Sequence, residues 1–237
     1  MKYLLYIAIF STTLPLVFYL LFKRNDKKNS LRVILFYVLY CIFNEGMSFY
    51  LQSIQSEAFL ILFYSFTIIE YSFFCLFIYL VVPKGLLKNL IPVLWFGFIA
   101  FEFIDLVFIN KGKGFDSIAT GIEYIIIIFL CVCYLFVQLR KANNLLIYST
   151  FDFWVIITFL IYFSGTFFLY IMAEGLRHSL IFRQQYTIIN ASFNILKNIL
   201  LCVAMTMKLN NEATSQKSHI PDLDDNSFIP ENVNFPN

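Results

Sequence analysis

A chain of 237 residues that is 60% hydrophobic and only 14% charged, with a mean hydropathy of +0.76, lies outside the range of water-soluble domains, where charged residues make up about 25%. Its net charge of +2 comes from basic residues scattered over short connections, with no aromatic-interleaved stripe, which excludes nucleic acid as a partner. Two histidines, and five cysteines that all fall inside apolar runs, supply neither a zinc-type cluster nor a disulfide framework.

Crossing roughly 30 Å of hydrocarbon takes about 20 mostly apolar residues. Seven such runs follow one another, bounded by charge, Asn, Gly or Pro: 3–22, 32–51, 58–82, 89–109, 117–138, 151–173 and 185–207. The first follows Lys2 and imitates a secretory signal. It is too long for one, lacks a small-x-small cleavage site, and is followed by the basic segment Lys23, Arg24, Lys27, Lys28 and Arg32, so it reads as a retained anchor. The connections KRNDKKNS (23–30), QSIQSE (52–57) and PKGLLK (83–88) are short, which makes consecutive helices antiparallel neighbours. The expected fold is all-α: a polytopic integral membrane protein whose seven-transmembrane-helix bundle occupies residues 1–207.

Orientation follows from the basic residues. The side holding the first, third and fifth connections and the C-terminal segment carries eleven Lys and Arg, whereas the other side carries five: Lys2, Lys111, Lys113, Arg177 and Arg183. The positive-inside rule therefore predicts an N-out/C-in arrangement in the inner (cytoplasmic) membrane. Residues 208–237 contain Pro221, Pro230, Pro236 and five acidic side chains, with few aliphatics, and read as a disordered acidic cytoplasmic tail. Its segment IPDLDDNSFIP is either a solubilising end or a docking peptide for a cytoplasmic protein.

Ionisable groups inside a bilayer cost a few kcal/mol each on insertion scales, so they are rare unless paired, hydrated or used. Here Glu45, Glu70, Glu102, Asp105, Glu123 and Lys197 fall within predicted spans, with Asp152 at the cytoplasmic edge of the sixth. Counting from the outer end of each span at about 1.5 Å per residue places Asp105, Glu45, Glu102 and Glu123 on the order of 8–12 Å deep, and Glu70 and Lys197 near the midplane at roughly 18 Å. In the seventh span Asn190, Asn194 and Asn198 recur every fourth residue, with Lys197 beside them, so one face of that helix is polar. The sixth span adds Tyr162, Ser164, Gly165, Thr166 and Tyr170, and the second adds Asn44 next to Glu45. A short repeat is also present: Thr67-x-Ile69-Glu70-Tyr71 in the third span returns as Thr120-x-Ile122-Glu123-Tyr124 in the fifth.

These groups admit two readings. In one, Glu70 and Lys197 form a buried pair, the asparagines are interhelical glue, and Gly165 with Ser164 lets two helices approach closely. In the other, Glu45, Glu70, Glu102, Glu123, Asn190, Asn194 and Lys197 line an outward-facing ligand-binding pocket. Five carboxylates against one lysine favour the second, since the excess asks for bound protons or a bound cation.

No Ser-His-Asp layout, HExxH helix or phosphate loop occurs, so no catalytic residue, metal or cofactor is expected and the chain reads as a non-enzyme. Seven spans ending in Asn190-x-x-x-Asn194-x-x-Lys197-Asn198 resemble the seven-helix membrane sensor proteins that accompany histidine kinases in Bacteroidetes-type genomes. That resemblance of layout implies a sensor or receptor module with membrane lipids, a small polar or cationic ligand and a cytoplasmic signalling protein such as a histidine kinase as partners. A small proton- or ion-coupled transporter is the alternative, although Pro15 is the only proline well inside a span and carriers often break their helices at the midplane. The mid-helix Lys197 in the seventh span, with a carboxylate at similar depth in the third, also resembles microbial rhodopsins. The third span, however, lacks an Arg-x-x-Asp-Trp type of signature, and Phe193 stands one turn before the lysine. An intramembrane lipid-modifying enzyme is a further class, with the carboxylates as its acid/base pair.

Overall fold

The computed structural model describes residues 2–22, 28–54, 58–109, 117–140, 147–176 and 179–207, and among them the chain is helical, with no strand. Helices α1 (Lys2–Ser11) and α2 (Leu14–Leu21) together form the first span. The other six are α3 (Asn29–Ser53), α4 (Ala58–Val81), α5 (Leu86–Ile104), α6 (Ser117–Leu139), α7 (Phe151–Leu176) and α8 (Leu180–Thr206). A π-helical turn, Asp105–Ile109, extends α5. Seven helical stretches, from Tyr3–Leu21 to Gln184–Thr206, are long and apolar enough to cross a membrane, in agreement with the expected boundaries to within a few residues. The acidic segment 208–237 lies outside the described residues, as do Lys23, Arg24 and Lys27 of the basic connection.

Large apolar side chains cover the outside as well as the core. Phe36, Phe96, Phe103 and Phe168 are each more than 60% exposed, the pattern of helices whose outer faces are solvated by lipid.

Neighbour relations define a ring. α2 meets α3, α3 meets α4, α4 meets α6, α6 meets α7, α7 meets α8, and α8 returns to α1 and α2. α5 packs on α4 and α6 from outside that ring. Tyr71 of α4 fastens it there, stacking on Phe98 with centroids 4.3 Å apart and donating its hydroxyl to the Leu94 carbonyl. Trp95 Nε1 donates to Ser72 Oγ alongside.

Inside the ring, an aromatic column fills one half of the bundle. Phe74 lies 4.2 Å from Phe159 and 5.0 Å from both Tyr37 and Phe163, centroid to centroid, and all four rings are buried. Tyr124 continues the column at 4.6 Å from Phe163. Such offset and edge-to-face pairs add about 0.5–1.5 kcal/mol each beyond the area they bury. At the end of the bundle where α3 and α7 begin, Lys28 pairs with Asp152, and Ser30 Oγ donates to the same carboxylate. Asp152 occupies the first turn of α7, where the helix dipole also favours a negative charge.

Two local features shape the rest. The first span is interrupted at Thr12 and Thr13, halfway along its length, because Pro15 has no N–H to offer the Ser11 carbonyl. The Ser11 and Thr12 hydroxyls turn back onto the Ala8 carbonyl there. In α7, Gly165 lies against the ring of Phe193 on α8 so closely that a Cβ would collide with it. Gly165 thus permits the close α7–α8 approach expected of it. Ser164 takes no part, since it is exposed and bonds the Leu160 carbonyl of its own helix.

Candidate functional site

At the end of the bundle where α3 and α7 finish and α4, α6 and α8 begin, the ring encloses a cavity of about 180 Å³. α3 contributes Asn44, Glu45 and Ser48 to its wall, and α8 contributes Asn190, Asn194 and Lys197. α4 and α6 supply Thr67 and Glu70, and Thr120 and Glu123. The apolar lining is aromatic: Phe59, Phe63 and Phe66 from α4, Tyr124 from α6, and Tyr162 and Tyr170 from α7.

Its floor holds the buried charges. Lys197 Nζ donates to the hydroxyl of Tyr37 at 3.1 Å, and that hydroxyl donates to Glu70 Oε1 at 2.7 Å. The ammonium also stands 4.4 Å above the ring of Tyr162 and 5.5 Å from that of Tyr37. Lys197 is therefore held by a hydroxyl and two π faces, and reaches its carboxylate through a phenol. Lys197, Glu70 and Tyr37 are 6%, 3% and 1% exposed, and groups this dry persist only with such compensation.

A second polar chain runs along the wall. Thr12 Oγ1 donates to Glu45 Oε1 at 2.8 Å, and Asn198 Nδ2 donates to Ser11 Oγ at 2.8 Å and more weakly to Thr12 Oγ1. The interruption of the first span places Ser11 and Thr12 where they join α3 to α8. Of the three asparagines on α8, only Asn198 is interhelical glue. Asn194 Nδ2 donates to the Asn190 carbonyl in its own helix, while Asn190 and Asn44 also line the cavity, their side-chain oxygens buried without a hydrogen-bond donor among the described residues.

No family model, curated protein or solved structure matches the chain.

The site is thus defined by its own geometry. Glu45, Glu70, Glu123, Asn190, Asn194 and Lys197 line one cavity, whereas Glu102 does not. Glu102 is 2% exposed on α5, one turn before the equally buried Asp105, and α5 lies outside the ring that encloses the cavity. The repeat proves to be spatial: Thr67 and Glu70 of the first copy and Thr120 and Glu123 of the second line the same cavity from two helices in contact. The copies differ at their last position. Tyr124 lines the cavity, while Tyr71 turns outward to hold α5.

Sequence reasoning missed Tyr37, Thr12 and Ser11. Tyr37 is one of fifteen tyrosines, and nothing in its neighbourhood distinguishes it from a core or lipid-facing ring. For Thr12 the signal was present in the Ser-Thr-Thr run before Pro15, because hydroxyls next to a missing backbone donor often re-satisfy the helix in a bilayer.

Chemically, the cavity sets three carboxylates and one lysine among hydroxyl and amide groups that both donate and accept. Among the described residues no three His, Cys, Asp or Glu side chains come together as ligands for a metal ion. The volume equals that of about six liquid waters, and it exceeds the roughly 150 Å³ cavity known to hold benzene.

Proposed function

We propose that this chain is a non-enzymatic receptor module of the inner (cytoplasmic) membrane, with its N-terminus outside and its C-terminal segment in the cytoplasm. A small polar or cationic ligand enters the acidic cavity from the outside, and residues 208–237 engage a signalling protein such as a histidine kinase. The carrying observation is the cavity itself, with a buried Lys197–Tyr37–Glu70 line at its floor and Glu45, Glu123, Asn190 and Asn194 in its wall. It lies at the end of the bundle that the distribution of Lys and Arg predicts to be external.

The coupling route is short. α8 carries Asn190, Asn194 and Lys197 on the cavity, Asn198 on the first span, and then leads at Met207 into the C-terminal segment. A ligand that binds one placement of α8 more tightly than another shifts the population of that placement, and the cytoplasmic end moves with it.

A specific observation also favours the carrier reading. The first span is broken near its midpoint, and the broken segment contacts the cavity carboxylate Glu45, as discontinuous helices do at transporter sites. Two measurements separate the readings. An N-terminally tagged full chain, recovered from its native membrane, should bring down a histidine kinase that a chain ending at Met207 leaves behind; equal recovery by both overturns the receptor reading. In proteoliposomes a carrier moves its ligand across the bilayer, and a receptor does not.

A further inference from the structure

We infer that the cavity selects a small organic ammonium ion, a short primary amine in its charged form, over a metal or alkali cation. This deepens the receptor reading by naming the ligand class of the same site.

Three observations carry it. First, the cavity already solvates one ammonium, and the way it does so is visible. Lys197 Nζ is held by a hydroxyl oxygen, the faces of Tyr162 and Tyr37, and, through the phenol, Glu70. That combination of acceptor, π face and nearby carboxylate recognises an alkylammonium. The repeat presents a second Thr and Glu, Thr120 and Glu123, to the same space, and Tyr124 stands in the same wall.

Second, the polar lining comes from four helices: Asn44 and Glu45 of α3, Glu70 of α4, Glu123 of α6 and Asn190 of α8. A primary ammonium brings three N–H groups and meets acceptors on more than one of these helices at once. Charge favours the same occupant, since Glu45, Glu70 and Glu123 share the cavity with a single lysine.

Third, the lining does not suit a bare metal ion. Calcium takes six to eight oxygen ligands and magnesium a near-octahedral set, whereas no three acidic, His or Cys side chains converge among the described residues. Much of the wall is aromatic carbon, which accepts the alkyl body of an amine and replaces none of the oxygen ligands that a hard cation gives up with its water. At about 180 Å³ the space fits a molecule of benzene size, which sets the amine at about four to six heavy atoms.

The test is thermal unfolding of the purified full chain with n-butylammonium chloride. The expected result is a concentration-dependent rise in Tm that saturates, and that neither 1-butanol nor potassium chloride at matched concentration reproduces. Glu123→Gln and Asn190→Ala should each reduce the apparent affinity at least tenfold; Asn190 is partly exposed, so its variant keeps the fold and guards against loss of structure in the other. An equal rise with potassium chloride, a saturable rise unchanged in both variants, or no rise at tens of millimolar amine with a cooperative melt each overturns the inference. Amine binding without tail-dependent recovery of a kinase sinks the receptor reading alone. Tail-dependent recovery without amine binding sinks this inference alone.

Discussion

The hydroxyl of Tyr37 has two tasks at once, accepting from Lys197 and donating to Glu70, and among the described residues no other side chain bridges them. Tyr37→Phe keeps the ring in the aromatic column but leaves an ammonium and a carboxylate without their shared partner. The expected loss is about 1–3 kcal/mol, read as a drop in Tm of the detergent-solubilised protein. An unchanged Tm would mean that water takes the place of the hydroxyl. Polar side chains such as Glu70, Lys197 and Asn190 were legible in the sequence because an ionisable or amide group in an apolar run is costly and therefore conspicuous. Tyr37 was not, since an amphipathic ring suits lipid, core and polar cavity equally well. Nor could the sequence separate Glu102 from Glu123. Both sit near the same end of their spans, and only the packing of α5 outside the ring divides them.

At the scale of helices, α7 and α8 approach through Gly165 and Phe193. Gly165→Ala drives a methyl group into the ring and forces these helices apart along the wall that carries Tyr162, Lys197 and Asn194. We expect a cost of about 1–3 kcal/mol in thermal unfolding, largely restored by adding Phe193→Leu. A second substitution that worsened the first would show that the contact is not the cause. The seven spans were readable because length and hydropathy alone decide them, but the interruption of the first was not. Pro15 signalled a defect in the backbone, but not that the hydroxyls of Ser11 and Thr12 meet Asn198 and Glu45 there. Thr12→Val should cost about 0.6–1.7 kcal/mol, the range for interhelical hydrogen bonds in bilayers, and the melt of the variant measures it.

For the whole molecule, orientation is the quantity that links the cavity to a compartment. Cys41, Cys75, Cys131 and Cys202 are buried and Cys133 is half-buried, so introduced thiols can be read against a low background. With the N-terminus outside, Ser179→Cys, between α7 and α8, is labelled by an impermeant maleimide in intact cells. Leu86→Cys, at the start of α5 and 88% exposed, is labelled only after permeabilisation. The opposite pattern would turn the cavity to the cytoplasm and end the receptor reading. The ring also orders events during synthesis. Its closing contact joins Ser11 to Asn198, 187 residues apart, so a helix made early packs against one made much later. Until α8 emerges, the first span has the edge of α3 to rest on, and Ser11 lacks the Asn198 that bonds it. The cavity therefore forms only after α8 is made, and a nascent chain halted before residue 180 has spans but no site.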